Sequence, residues 1–92
     1  MEGDKIISLI WEDLKHNQLL NGLDSIGLMG SDKYLLSLDK YIAQMMGYTS
    51  TPDTWQDIYQ QTMLSASPNH SKSELHNLAK NLFEQLLKIE KR

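Results

Sequence analysis

The end of the chain constrains the rest of it most. Ser71-Lys72-Ser73-Glu74 has the S-x-x-E spacing of a capping box, in which serine and glutamate side chains satisfy each other's backbone N–H groups at a helix start. Directly after it, Leu75, Leu78, Ala79, Leu82, Phe83, Leu86, Leu87 and Ile89 share an arc of roughly 180° when the chain is wound as a helix. A helix from Glu74 to about Lys91 with so wide an apolar face has to touch at least two others. The remainder of the sequence must therefore supply them.

It supplies three more helical patterns and no strand. Ser31 and Gly47 bracket a predicted helix from about Asp32 to Met46, with Tyr34, Leu35, Leu38, Tyr41, Ile42, Met45 and Met46 on one face. Thr51 and Pro52 read as an N-cap and a first helical residue. Behind them Trp55, Ile58, Tyr59, Thr62, Met63 and Ala66 share a face, Leu64 lies off it, and Ser67-Pro68-Asn69 closes the helix. The first thirty residues change phase. Ile6, Ile7, Ile10, Trp11 and Leu14 point one way, whereas Leu19, Leu20, Leu23 and Ile26 point more than a right angle away on a continuous helix. Asn17, Asn21 and Gly22 are poor helix residues, so a break between His16 and Gln18 is expected, with Gly27 capping a second short helix. Period-two alternation is absent. The expected fold is all-α, a small four-helix bundle or compact orthogonal array, of five segments if the first helix breaks, in a single domain over residues 1–92.

Composition narrows the function classes. Ninety-two residues are too few for two independent cores. No cysteine is present, which removes disulfides, thiolate metal sites and cysteine nucleophiles. Twelve acidic residues against nine basic ones give a net charge of −3, and the only arginine is Arg92, so a field of cations for nucleic-acid phosphates is not expected. The apolar runs are far below the ~18 residues a membrane span needs. Met1-Glu2-Gly3-Asp4 lacks the basic start of a secretory signal, and a cytoplasmic location is the expectation.

Few residues group as catalysis would require. Glu12 and His16 are one turn apart, but His70 and His76 follow neither a zinc nor a metalloprotease spacing, and no metal is expected. His76, at the edge of the last helix's apolar arc, reads as half-buried packing. Ser31, Ser50, Ser65, Ser67, Ser71 and Ser73 sit where serines cap helices and turns rather than beside a base. Gly22-Leu23-Asp24-Ser25-Ile26 resembles the G-x-D-S-L attachment motif of acyl and peptidyl carrier proteins, which are also small, acidic and four-helical. That resemblance covers five residues and implies a prosthetic arm on Ser25; without it, Asp24 and Ser25 are the polar face of a short helix. Ala43 to Ser50 resembles the first helix and turn of a helix-turn-helix, but the segment Pro52 to Met63 that would read bases carries Asp53 and Asp57 and no basic residue.

What remains is apolar surface in excess of the helix faces. Leu19, Leu20, Leu23, Ile26, Leu28, Met29 and Leu36 either complete the core or form a partner-binding surface. If the first helix bends, both its apolar sets face inward and the protein is a monomer. If it stays in one piece, the second set lies outside and needs a partner, another protein or a second copy in a homodimer. The expected function is thus a non-catalytic helical interaction module of regulator or adaptor type, with no cofactor. An acidic bundle that neutralises a basic toxin, as immunity proteins and antitoxins do, is one form of it that size and charge suggest. The alternative is the carrier-like protein modified on Ser25.

Overall fold

The structure, a computed structural model, describes the backbone of residues 2–25 and 38–89 and the side chains of residues 3–23 and 38–89. Four helices occur among them: α1 (Glu2–Ser25), α2 (Asp39–Met45), α3 (Asp53–Leu64) and α4 (Lys72–Leu87). The described residues contain no strand, and the all-α expectation is met. No described helix is long and apolar enough to cross a membrane.

α4 forms as its sequence dictates. Ser71 accepts from the Glu74 N–H at 3.1 Å while the Glu74 carboxylate accepts from the Ser71 N–H at 2.9 Å, which completes the capping box and holds the Glu74 carboxyl below its ordinary pKa. Leu75, Ala79, Leu82 and Leu86 are fully buried, with Leu78, Phe83 and Ile89 packed against them. Leu87, expected on the same face, is 59% exposed, because the helix presses on its neighbours along one stripe rather than across the whole arc. The two neighbours are α1 and α3.

α3 buries Trp55, Tyr59 and Met63 at i, i+4 and i+8. Trp55 stacks on Tyr59 at 5.2 Å between ring centres and meets Tyr48 edge-on at 6.2 Å. Its N-cap is Pro52, one residue later than expected, and no side chain caps it. α2 ends as expected: Gly47 has φ of 95°, the left-handed conformation for which glycine has no steric penalty. Its N–H donates to the Gln44 carbonyl and that of Tyr48 to the Ala43 carbonyl, the pair of bonds that closes a helix at such a glycine. Ile42, Ala43 and Met46 are buried, while Tyr41, expected inside, is exposed. The predicted start of this helix at Asp32 lies outside the described residues.

The expected break in the first helix does not occur. α1 is one continuous helix of 24 residues through Asn17, Asn21 and Gly22. Ile6, Ile10 and Leu14 are buried, and the same inner face then continues as Asn17, Gln18 and Asn21. Those amides are donors to other elements. Asn21 Nδ2 lies 3.1, 3.4 and 2.9 Å from the carbonyl oxygens of Met63, Leu64 and Ala66. Gln18 Nε2 donates to the carbonyls of Ser67 at 2.9 Å and His70 at 2.7 Å. The last carbonyls of a helix have no partner within it. At the end of α3 the Ser65 N–H meets the carbonyls of Gln61 and Thr62 and the Ala66 N–H that of Met63, and the Asn21 amide of α1 adds a donor for Met63, Leu64 and Ala66 beyond it. These bonds, each worth roughly 0.5–1.5 kcal/mol net, outweigh the few tenths by which asparagine trails alanine in a helix.

The packing separates two leucines of α4 that sequence alone treats alike. Leu82→Ala should lower the unfolding free energy by about 2–5 kcal/mol, whereas Leu87→Ala should change it by less than about 0.5 kcal/mol. Chemical denaturation of both variants checks this.

Candidate functional site

Running the amides inward turns the leucines between them outward. Leu19 is 64% exposed, and Leu20 and Leu23 are half-buried. Lys15, Leu19 and Leu23 recur every four residues and Gln18 and Gly22 lie beside them, so all five share one face of α1. Together with Pro68 they line an open groove of about 490 Å³. Its far wall is placed by the hydrogen bonds already described. Gln18 grips the carbonyls of Ser67 and His70, the Ser67 N–H donates to His70 Nδ1 at 3.0 Å, and Pro68 sits between them. Gly22 forms the floor, where an added Cβ would lie 3.4 Å from Pro68 Cγ. At the rim the Lys15 ammonium pairs with Glu12 at 2.9 Å and rests 4.1 Å from the centre of the Trp11 ring. The Trp11 ring in turn makes a T-shaped contact with His76, 5.6 Å between ring centres.

Of the partner-binding candidates, the structure brings Leu19 and Leu23 together in this groove. Leu20 is half-buried and does not line it. Ile26, Leu28, Met29 and Leu36 lie outside the described residues. Lys15, Gln18, Gly22 and Pro68 complete the groove and are not among the partner-binding candidates of the sequence. The four-residue spacing of Lys15 to Leu23 could have signalled the first of them, but nothing local to Pro68 points to α1. Ser25 is the last residue of α1, which runs unbroken across Gly22, whereas the carrier motif opens a helix at its serine. Among the described residues no three His, Asp or Glu side chains converge as metal ligands would.

A second cluster lies inside the molecule. Asp13 is 2% exposed and Asn17 1%. Asp13 Oδ2 accepts from the Tyr59 hydroxyl and from the Leu38 N–H, the latter at 3.1 Å, so a single carboxylate ties α1 to α3 and to the start of α2. Burial pushes the Asp13 carboxyl above its ordinary pKa of 3.8; the Tyr59 and Leu38 donors and His16 oppose that, and Asp39 adds to it. Burial, with Asp13 beside it, likewise pushes the Tyr59 hydroxyl well above its ordinary range, so Tyr59 remains a donor.

No family model matches this chain, and neither a curated protein nor a solved structure is significantly similar to it. The groove and the buried cluster are thus interpreted from their own geometry.

Two outcomes follow. Because Asp13 titrates higher in the fold than in the unfolded chain, folding takes up a proton between those values, and its contribution to stability is lost as pH rises through that window. Tyr59→Phe removes a donor to the ionised form. It should cost about 1–3 kcal/mol near pH 7 and less near pH 4, as measured by denaturation at both. Incubation with a phosphopantetheinyl transferase and coenzyme A should leave the intact mass unchanged; an addition lost in Ser25→Ala would establish the carrier chemistry instead.

Proposed function

We propose that the protein is a non-catalytic helical interaction module, of regulator or adaptor type, that binds a partner chain along the outer face of α1. The supporting observation is that α1 is unbroken, so Leu19 and Leu23 of its second apolar set are not turned into the core. Leu19 stands 64% exposed beside Leu23, Gly22 and Pro68 in a concave, mainly apolar groove. Water-exposed apolar surface of this kind costs roughly 25 cal/mol per Å² until it is covered, and a recess holds a partner's side chain better than a flat patch does. The groove is fixed before binding by Gln18 and the Ser67–His70 turn, which lowers the ordering cost of association. A second copy of the chain is the simplest occupant, since two-fold pairing needs only one patch.

A photo-crosslinking residue in place of Leu19 tests this in the producing cell. It should give one discrete adduct, of twice the chain mass if the partner is a second copy, that is lost when Leu23→Glu is added. The same residue in place of exposed Lys80 should give none. An adduct pattern at position 19 no different from that at position 80 would overturn the proposal.

A further inference from the structure

One bond in the wall of the groove depends on an uncharged histidine. His70 is half-buried, and its Nδ1 accepts the Ser67 N–H at 3.0 Å. That N–H has no other described acceptor, and Pro68, which forms the wall, follows it directly. An imidazole nitrogen accepts only through its lone pair, so the bond requires the neutral ring with its proton on Nε2. The other bonds of the turn carry no such requirement. The Ser67 carbonyl accepts from the His70 N–H at 3.0 Å and from Gln18, and the Asn69 N–H donates to Ser67 Oγ at 3.2 Å. None of those partners changes charge between about pH 5 and 8, the range in which histidine does.

A proton from solvent acts on that bond alone. It takes the Nδ1 lone pair, both ring nitrogens become donors, and the Ser67 N–H is left facing an N–H in place of an acceptor. The ring has to turn away, and the charges around it set the direction. On α4 the Glu74 carboxylate acts on His70 and attracts the imidazolium, with Lys72 exposed in the same first turn. On α1 Lys15 lines the groove with Pro68 and repels it, while α3 ends in the uncharged Leu64, Ser65 and Ala66. The imidazolium is drawn out of the turn toward α4, and Gln18 keeps its hold on the two carbonyls.

We propose that His70 is a proton switch on the α1 groove: the neutral imidazole pins Ser67 and sets Pro68 against Gly22, and protonation frees Ser67, loosens that wall and weakens partner binding. The effect on a partner rests on the function proposed above, whereas the movement of the turn does not.

Nuclear magnetic resonance on the intact protein reads the turn. Above the His70 midpoint the ring nitrogens should show the Nε2–H tautomer; through that midpoint the Ser67 amide should shift, and the nuclear Overhauser contact between Pro68 and Gly22 should weaken. In His70→Asn, whose amide oxygen can stand where Nδ1 does and takes up no proton, neither should change over the same range. Should that variant not fold, the wild-type signals decide. Crosslinking from position 19 in a clarified extract of the producing cells, buffered on either side of the midpoint, reads the partner. The yield of the discrete adduct should fall about 2- to 10-fold on the acid side, the worth of one hydrogen bond, and stay level in His70→Asn. If position 19 gives no discrete adduct at either pH, the function proposed above fails, and the Ser67 titration still decides the switch. The Nδ1–H tautomer, a Ser67 amide that ignores the His70 titration, a wild-type adduct yield level across the midpoint, or the same pH dependence in His70→Asn would overturn it.

Discussion

Every helix leaves polar backbone groups unmet at its ends, and in this protein one helix finishes two of the others. The Asp13 carboxylate of α1 takes the Leu38 N–H where α2 begins, and the Asn21 amide of α1 meets the carbonyls where α3 ends. Gln18 extends the same service to the turn that leads into α4. Leu38 has no side chain able to cap α2, and the Ser65 and Ala66 N–H groups that follow α3 meet the carbonyls of Gln61, Thr62 and Met63 but leave those of Leu64 and Ala66 to Asn21. α1 is thus both a wall of the core, through Ile6, Ile10 and Leu14, and the donor and acceptor strip that lets its neighbours stop where they do.

That double use explains why apolar surface lies on the outside. Once the inner face beyond Leu14 is given to amides, Leu19 and Leu23 have no core to enter, and the helix cannot rotate to bury them without withdrawing Asn21 and Gln18 from their carbonyls. The turn carrying Pro68, pinned by those bonds, then stands opposite the leucines as the second wall of a groove. The feature that suits a partner and the bonds that close α3 have one cause. The buried Asp13 belongs to it as well, since a carboxylate placed to hold α2 must accept desolvation as the cost of its position.

The helices were legible in sequence wherever their signals are local. The capping box at Ser71 and Glu74, the stop at Gly47 and the face of Trp55, Tyr59 and Met63 all depend on residues within a few positions of each other. Asn17 and Asn21 were misread for the opposite reason. Their low helix propensity is a local property, whereas the carbonyls that Asn21 meets and the Met63 sulfur beside Asn17 lie more than forty residues away, where no spacing rule reaches. The same limit hid Pro68 from the groove and Tyr59 from Asp13. Leu19 and Leu23 could be recognised as surplus to the core, because a surplus is counted along a single helix; their location in a recess required the fold.

Asn21→Leu separates a helix held by its amides from one merely interrupted by them. The substitution improves helix propensity and extends the apolar stripe, and a sequence-level account expects it to be neutral or stabilising. If Asn21 closes α3, leucine there takes the amide from the part-buried Ala66 carbonyl, which has no other described donor, and from those of Met63 and Leu64, and cannot repay it. Equilibrium denaturation should then show a loss of about 1–3 kcal/mol, with faster amide exchange in the last turn of α3 and the 66–70 turn. An Asn21→Leu variant as stable as the wild type, or more so, would contradict the account.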